Sequence, residues 1–358
     1  MINPFKLGAR QAVFLLDPER AHALTLTGIG TGLLPRARHA ADPRLAVRLA
    51  GLSFANPLGV AAGLDKNGEA IDGLFGLGFG HVEVGTVTPK PQPGNPKPRL
   101  FRLVEDEAVI NRMGFNNEGH EALAANVARA KRRGVLGINI GANKASEDRI
   151  ADYVAGTTRF AAMADYLTVN ISSPNTPGLR NLQARSELAT LLSRVLEARA
   201  AAEAQPPVFL KIAPDLDQAE LDDIAAEVLA QKLDGIIVSN TTLARDGLKS
   251  AKLSGEAGGL SGAPLFERST AVLAGMRQRL GPDMAIIGVG GVSTGARALE
   301  KIRAGADLVQ IYSGMVYEGP KLISDGLSAM VAALEKAGAD NLRALRDESV
   351  AEWAEKRF

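Results

Sequence analysis

From about residue 57 onward, short apolar and β-branched runs alternate with longer segments whose apolar residues recur every three or four positions. The short runs are residues 57–63 (PLGVAAG), 81–88 (HVEVGTVT), 135–141 (VLGINIG) and 166–172 (YLTVNIS). They continue with 208–213 (VFLKIA), 235–241 (GIIVSNT), 285–291 (AIIGVGG) and 308–314 (LVQIYSG). Near-continuous apolar character over so few residues predicts parallel strands covered on both faces. Helical spacing is clearest over 118–132, 187–201, 218–232, 266–280, 295–304 and 322–337, and Asp217 and Ser293–Thr294 stand where N-caps belong. Eight strand–helix repeats predict a (β/α)8 TIM barrel. An open doubly wound sheet is the alternative, disfavoured because no GxGxxG follows the first strand.

Two stretches break the alternation, 89–113 (rich in proline) and 243–262 (rich in glycine and serine). Both follow strands, so a barrel places both on its C-terminal face, where loops this long act as lids or binding loops. The aliphatic and aromatic content of the first predicts an ordered lid. Residues 1–45 precede the barrel and predict two short helices broken at Asp17–Pro18. Their apolar side chains (Val13, Phe14, Leu15, Leu16, Leu24, Leu26, Ile29, Leu33, Leu34) outnumber their charges, with Lys6, Arg10 and Arg20 positive. Such a segment suits a cap docked on the barrel or an element resting on a membrane surface. The expected division is therefore 1–45, a helical extension, and 46–358, the barrel.

Composition narrows the chemistry. The 358 residues hold 41 basic and 40 acidic side chains, which gives no general electrostatic argument for nucleic acid. There is no cysteine, so disulfides, thiolate metal sites and a cysteine base are excluded together. The four histidines (His22, His39, His81, His120) show no metal-ligand spacing, and no metal is expected. Acid–base work falls to Ser, Thr, Lys, Tyr or carboxylates. No apolar run approaches the roughly 20 residues of a bilayer-spanning helix, and the N-terminus lacks a signal-peptide pattern, so the expectation is a chain kept in the cytoplasm.

In a barrel, functional groups gather at the C-terminal strand ends. Read in order, these ends offer Asp65 and Lys66, Thr86, Asn139, Asn170 with Ser173 and Asn175, Lys211, Asn240 with Thr241, Gly290–Gly291, and Tyr312–Ser313. Each alone is a plausible loop or capping residue; their convergence points to one polar cavity. The glycine turn in "GVGGVSTGARA" and the "YSGM" after the eighth strand form the pair of loops between which barrels often bind phosphate. A phosphate at one edge, with amides and lysines over the centre, suits a flat phosphorylated cofactor such as FMN. Lys211, deep on the fifth strand, needs an electron-rich partner. A flavin edge would serve; so would a carboxylate, although the strand ends offer few.

The motifs "AAGLDKNG", "VEVGTVTPKPQPGNPKPRLFRL", "INRMGFNN", "NISSPNTPGLRNLQ", "KIAPDL", "SNTT", "GGLSG", "GVGGV" and "YSG" resemble, in order and over essentially the whole chain, the dihydroorotate dehydrogenases. With "FLLDPERAH" near the N-terminus, the resemblance is closest to the quinone-dependent, membrane-associated class 2. It implies oxidation of dihydroorotate to orotate, in de novo pyrimidine (UMP) biosynthesis, with FMN as hydride acceptor. The base would be Ser173, at the position where the soluble class 1 carries cysteine, with Thr176 and a water near Phe115 relaying its proton. For FMN the matching residues are Ala62, Gly63, Leu64, Asp65, Lys66, Thr86, Asn139, Asn170, Lys211, Ser239, Gly262, Gly291, Tyr312 and Ser313. For the substrate they are Lys66, Asn111, Arg112, Met113, Gly114, Phe115, Asn170, Asn175, Asn240 and Thr241. Amides suit a pyrimidine dione because each supplies a donor and an acceptor. The second long loop would be the lid. The N-terminal helices would form an apolar tunnel, with His22, Arg102 and Tyr312 at its inner end, through which ubiquinone or menaquinone reoxidises the flavin. The resemblance places the protein peripherally on the cytoplasmic side of a bacterial inner membrane. Rival readings are a soluble fumarate- or NAD-coupled relative and a non-catalytic flavin-binding barrel.

Overall fold

In a computed structural model, which describes Phe5, Gly8 and residues 10–32 and 42–358, the eight apolar runs become eight parallel strands closed into a barrel. They are β1 (Leu58–Val60), β2 (His81–Val87), β3 (Val135–Ile140), β4 (Tyr166–Asn170), β5 (Val208–Ile212), β6 (Gly235–Val238), β7 (Ala285–Val289) and β8 (Leu308–Ile311). Each pairs with its chain neighbours, and β8 returns to β1. The strands end earlier than the hydrophobic pattern suggests, because the chain leaves the sheet at the glycines and polar residues of the C-terminal face.

The expected helices form within a few residues of their predicted limits. Gln218–Ala230 starts with a capping box in which Asp217 and Glu220 satisfy each other's backbone N–H, and Thr294 caps Gly295–Arg303. The pattern missed Ile71–Gly76 and Arg149–Phe160. The first is short and holds two glycines, Gly73 and Gly76; the second carries Gly156, Thr157 and Thr158, which disfavour a helix until packing overrides them.

Register inside the barrel is fixed by size complementarity. Three interior rings sit opposite glycines on the neighbouring strand: His81 against Gly59, Tyr166 against Gly137, and Phe209 against Gly235. A Cβ on any of these glycines would lie 2.1–2.3 Å from the facing ring, so glycine is obligatory there. Below the rings, the hairpin of Val47–Leu49 and Leu52–Phe54 closes the N-terminal end, with Phe54 edge-on to His81 at 5.5 Å.

The two long loops are joined to each other. Leu100–Leu103 and Ala108–Asn111 from the first, and Gly259–Gly262 from the second, form one antiparallel three-stranded sheet. Its small core is Leu103, Ala108, Ile110 and Leu260. Local pattern could not show this, because the pairing joins segments far apart in the chain.

The N-terminal break falls where expected, between helices Arg10–Phe14 and Pro18–Gly30. Asp17 accepts from the N–H groups of Glu19 and Arg20 (both 3.1 Å), and proline occupies the first turn. Ala21 and Ile29 are buried; Leu15 and Leu24 remain 89 % and 62 % exposed. The second helix approaches Ile71–Gly76 so closely that a Cβ on Gly73 would lie 2.0 Å from the Ile29 carbonyl oxygen. Lys6, Leu33 and Leu34 lie outside the described residues. Among the described residues no helix is long and apolar enough to cross a membrane.

Candidate active site

A cavity of about 590 Å³ opens over the C-terminal strand ends and continues to the N-terminal helices. Its barrel end is lined by Lys66, Thr86, Asn170, Ser173, Asn175, Lys211, Ser239, Asn240, Thr241, Tyr312 and Ser313. Asn111, Met113, Gly114 and Phe115 come from the first long loop, and Ala62, Gly63, Leu64, Gly262 and Gly291 from turns. Its outer end is lined by Val13, Leu16, Pro18, Ala21, Leu24 and Ile29, with His22 and Arg102.

Four of the expected residues do not line it: Asp65, Asn139, Arg112 and Thr176. Asp65 accepts from the N–H groups of Glu69 (2.9 Å) and Ala70 (2.7 Å) and so shapes the loop behind Lys66; burial raises its pKa. Asn139 supports Thr86 from behind. Arg112 donates to Glu256 (2.6 Å) and to the Ala257 carbonyl (3.1 Å) and stacks 4.5 Å over Phe101, so its guanidinium fastens the second long loop to the first. Thr176 is buried, its hydroxyl without a partner among the described residues.

Sequence reading missed the carboxylate at the centre. Glu83 on β2 is fully buried and receives Asn139 Nδ2 (2.8 Å), the Tyr166 hydroxyl (2.9 Å) and Gln310 Nε2 (2.7 Å). From this anchor the network runs outward. Thr86 Oγ1 donates to Asn139 Oδ1 (2.6 Å), Asn170 Nδ2 to Thr86 Oγ1 (2.9 Å), Ser172 Oγ to Asn170 Oδ1 (2.8 Å), and Asn240 Nδ2 to Ser172 Oγ (2.9 Å). Glu83 takes Asn139's amide N–H and thereby turns its oxygen toward Thr86, which sets the direction of every amide above it. The signal was available in the sequence: one glutamate within the otherwise apolar "HVEVG".

Ser173 Oγ accepts from the Asn175 N–H (3.2 Å), and Asn175 Nδ2 donates to Asn111 Oδ1 (3.2 Å), joining the fourth-strand loop to the first long loop. Lys66 has its pKa lowered to about 8, chiefly by burial and opposed by Glu19. Lys211 is 5 % exposed and makes no ion pair among the described residues; burial lowers its pKa, and Glu83 is the carboxylate that opposes this. Burial and the Lys66 charge push His22 down to about 3, leaving a neutral imidazole 6.5 Å from the Tyr312 ring. Arg102 lies over the Phe14 ring at 4.6 Å and donates to the carbonyls of Val13 and Phe14 (each 3.2 Å) and of Leu16, fixing the end of the first helix.

These residues fit FMN. A buried amine without an ion-pair partner faces the cavity beside amides of fixed direction, and the backbone at Gly262, Gly290 and Gly291 has positive φ next to the last two strand ends. Such turns present backbone N–H groups to an anion.

The sequence model of the family described as dihydroorotate dehydrogenase matches residues 44–332. The chain belongs to this family. It is 61% identical over 361 residues to dihydroorotate dehydrogenase (quinone) of Rhizobium etli, covering 100% of both chains. It is 60% identical over 363 residues to the protein of that name from Brucella melitensis, again over 100% of both. Crystal structures of DHODH from Eimeria tenella, in complex with ferulenol and ligand-free, share 40% identity with it, at TM-scores of 0.88 and 0.89. They cover 93% of this chain and are covered to 96% and 99%. The family is one of oxidoreductases, and this chain is an oxidoreductase of that family.

Proposed function

We propose that the protein oxidises (S)-dihydroorotate to orotate, the redox step of pyrimidine synthesis, and passes the electrons to a membrane quinone. The observation that carries this reading is a single cavity with two unlike ends, a serine-bearing amide cluster at one and an apolar helix face at the other. FMN, when bound, supplies the hydride acceptor. Thr86, Asn170, Lys211, Ser239, Tyr312, Ser313 and the turns at Gly262 and Gly291 would hold it, with Asn139 setting the first of these from behind.

Lys66 offers positive charge to the substrate carboxylate, and Asn111, Asn170, Asn175, Asn240 and Thr241 offer donors and acceptors to the pyrimidine ring. Ser173 takes the C5 proton while hydride leaves C6. A serine hydroxyl is a weak base and must pass that proton on. The Thr176 hydroxyl, unpartnered among the described residues and three residues further along the same loop, is the next station. The absence of cysteine favours this reading over the soluble classes.

We further propose that residues 1–45 form the quinone element. Exposed Leu15, between the two helices, and Leu24, on the second, rest against lipid, the cytoplasmic leaflet of a bacterial inner membrane, and the apolar outer end of the cavity admits ubiquinone or menaquinone. His22 and Tyr312 mark the neck where the two ends meet.

The deciding test is anaerobic stopped-flow of the flavin-loaded protein with dihydroorotate. The wild type is expected to bleach, and Ser173→Ala to bleach about 10²-fold more slowly or worse, with reoxidation by quinone unchanged. Bound flavin that dihydroorotate does not bleach would refute the assignment.

A further inference from the structure

Behind the cavity, three of the loops that carry its polar groups converge on one ion pair that does not line it. Arg180 uses all three of its nitrogens: Nε donates to the Ser172 carbonyl (3.0 Å), Nη1 to Asp215 Oδ2 (3.0 Å) and Nη2 to the Thr241 carbonyl (3.0 Å). Asp215, on the loop after β5, also accepts from the Leu243 N–H (3.0 Å) and from the Thr242 hydroxyl. The Ser172 carbonyl belongs to the peptide that leads into Ser173, and Thr241 is a substrate-facing residue. Thr242 and Leu243 begin the second long loop.

We propose that Arg180 and Asp215 are positioning residues for the reaction: together they hold Ser173 at a fixed distance from Asn240 and Thr241 and fix the point at which the second loop begins. The inference rests on the dihydroorotate reading. The two sides of the substrate would be gripped by loops that share no direct backbone pairing. Ser172 and Asn240 touch through side chains, and the guanidinium ties the main chains of Ser172 and Thr241 together directly. A planar fork with several donors can do this, whereas an ammonium is a point charge on a flexible stem. Both side chains are about four-fifths buried, so removal of either leaves its partner's charge unpaired. A base displaced by about 1 Å can lose about 10²-fold in rate, so a small movement of this frame is amplified at Ser173.

The test uses the full-length, flavin-loaded protein with Arg180→Lys and Asp215→Asn. Reduction by dihydroorotate and reoxidation by quinone are measured separately, together with hydrogen exchange along the chain. The expected result is a limiting reduction rate lower by about tenfold or more, quinone reoxidation and flavin content unchanged, and faster exchange confined to residues 172–178 and 241–258. Unchanged reduction and exchange would overturn the proposal. So would equal loss in both half-reactions, or failure of both variants to fold with flavin, since each marks a purely structural role. A wild type that does not bleach would instead refute the dihydroorotate reading, and the exchange pattern would then decide the clamp by itself.

Discussion

At its barrel end the cavity is walled by side chains that start on strands, each amide held by another until the series ends on buried Glu83. At its outer end it is walled by one side of a 13-residue helix with only two buried residues. That helix is held by Ile29 against Gly73 and by Glu19, which pairs with Arg99. The first end is rigid because its amides from Asn139 to Asn240 are joined in one donor–acceptor series, and leaving such a group unpaired in the interior is unfavourable. The second has few such constraints. Its Leu24 is 62 % exposed while Leu26 packs partly against the core, which suits the role proposed above of admitting an apolar molecule and lying against an apolar phase. On the proposed reading, selectivity for a small polar ring and tolerance for a long apolar one would reside in different kinds of structure.

Cutting one end away should break the comparison most plainly. Deleting residues 1–40 is expected to leave dihydroorotate-driven bleaching intact while quinone turnover falls by about tenfold or more. Equal loss of both in separate half-reaction assays would show that the helices serve the polar end too.

The polar end can be probed through Lys66. Its pKa of about 8 means that the free site loses its positive charge as pH rises through that value. A bound carboxylate favours the charged form, so KM for dihydroorotate is expected to climb by up to about tenfold per pH unit above the transition. A steady-state profile from pH 6 to about 10 that shows a flat KM would remove Lys66 as the counter-charge.

The smallest effect is expected at the latch between the ends. Glu19 pairs with Arg99 (2.7 Å) and Lys97 (3.2 Å), and the Arg99 bond holds its pKa below the ordinary carboxylate value. A carboxyl with a depressed folded-state pKa contributes stability above its unfolded value, and that contribution is lost as pH falls through the folded one. Glu19→Gln is therefore expected to weaken helix docking by about 1 kcal/mol or less, seen as faster hydrogen exchange over residues 18–30 near neutral pH. The same change should appear in the wild type only in acid. Exchange in the variant that matches the wild type at neutral pH would show that apolar contact alone seats the helix.

Arg99 also shows why the site was only partly legible. It stands in a motif, "KPRLFRL", yet its role depends on Glu19, 80 residues away. Ser173, Asn175 and Asn240 could be picked out because polar residues at the end of an apolar run are conspicuous in one dimension. Glu83 could have been, and was passed over because it lies within a strand and not at its end. Arg112 was expected among the substrate residues, and its bond to Glu256 could not be read locally, since Glu256 lies on another loop.

By itself, the sequence determined the barrel. Eight apolar runs of strand length, separated by helical periodicity, admit few other ways to cover both faces of a sheet. It also determined that no thiol takes part, and it marked most of the strand-end groups as a polar set. Tertiary structure alone decided which groups face the cavity and which stand behind it, how two remote loops share one small sheet, and where the rings meet their glycines. These are contacts between residues far apart in the chain. They depend on register and on the pairing of individual donors with acceptors, and a hydrophobic pattern, which records only whether a residue prefers burial, carries neither.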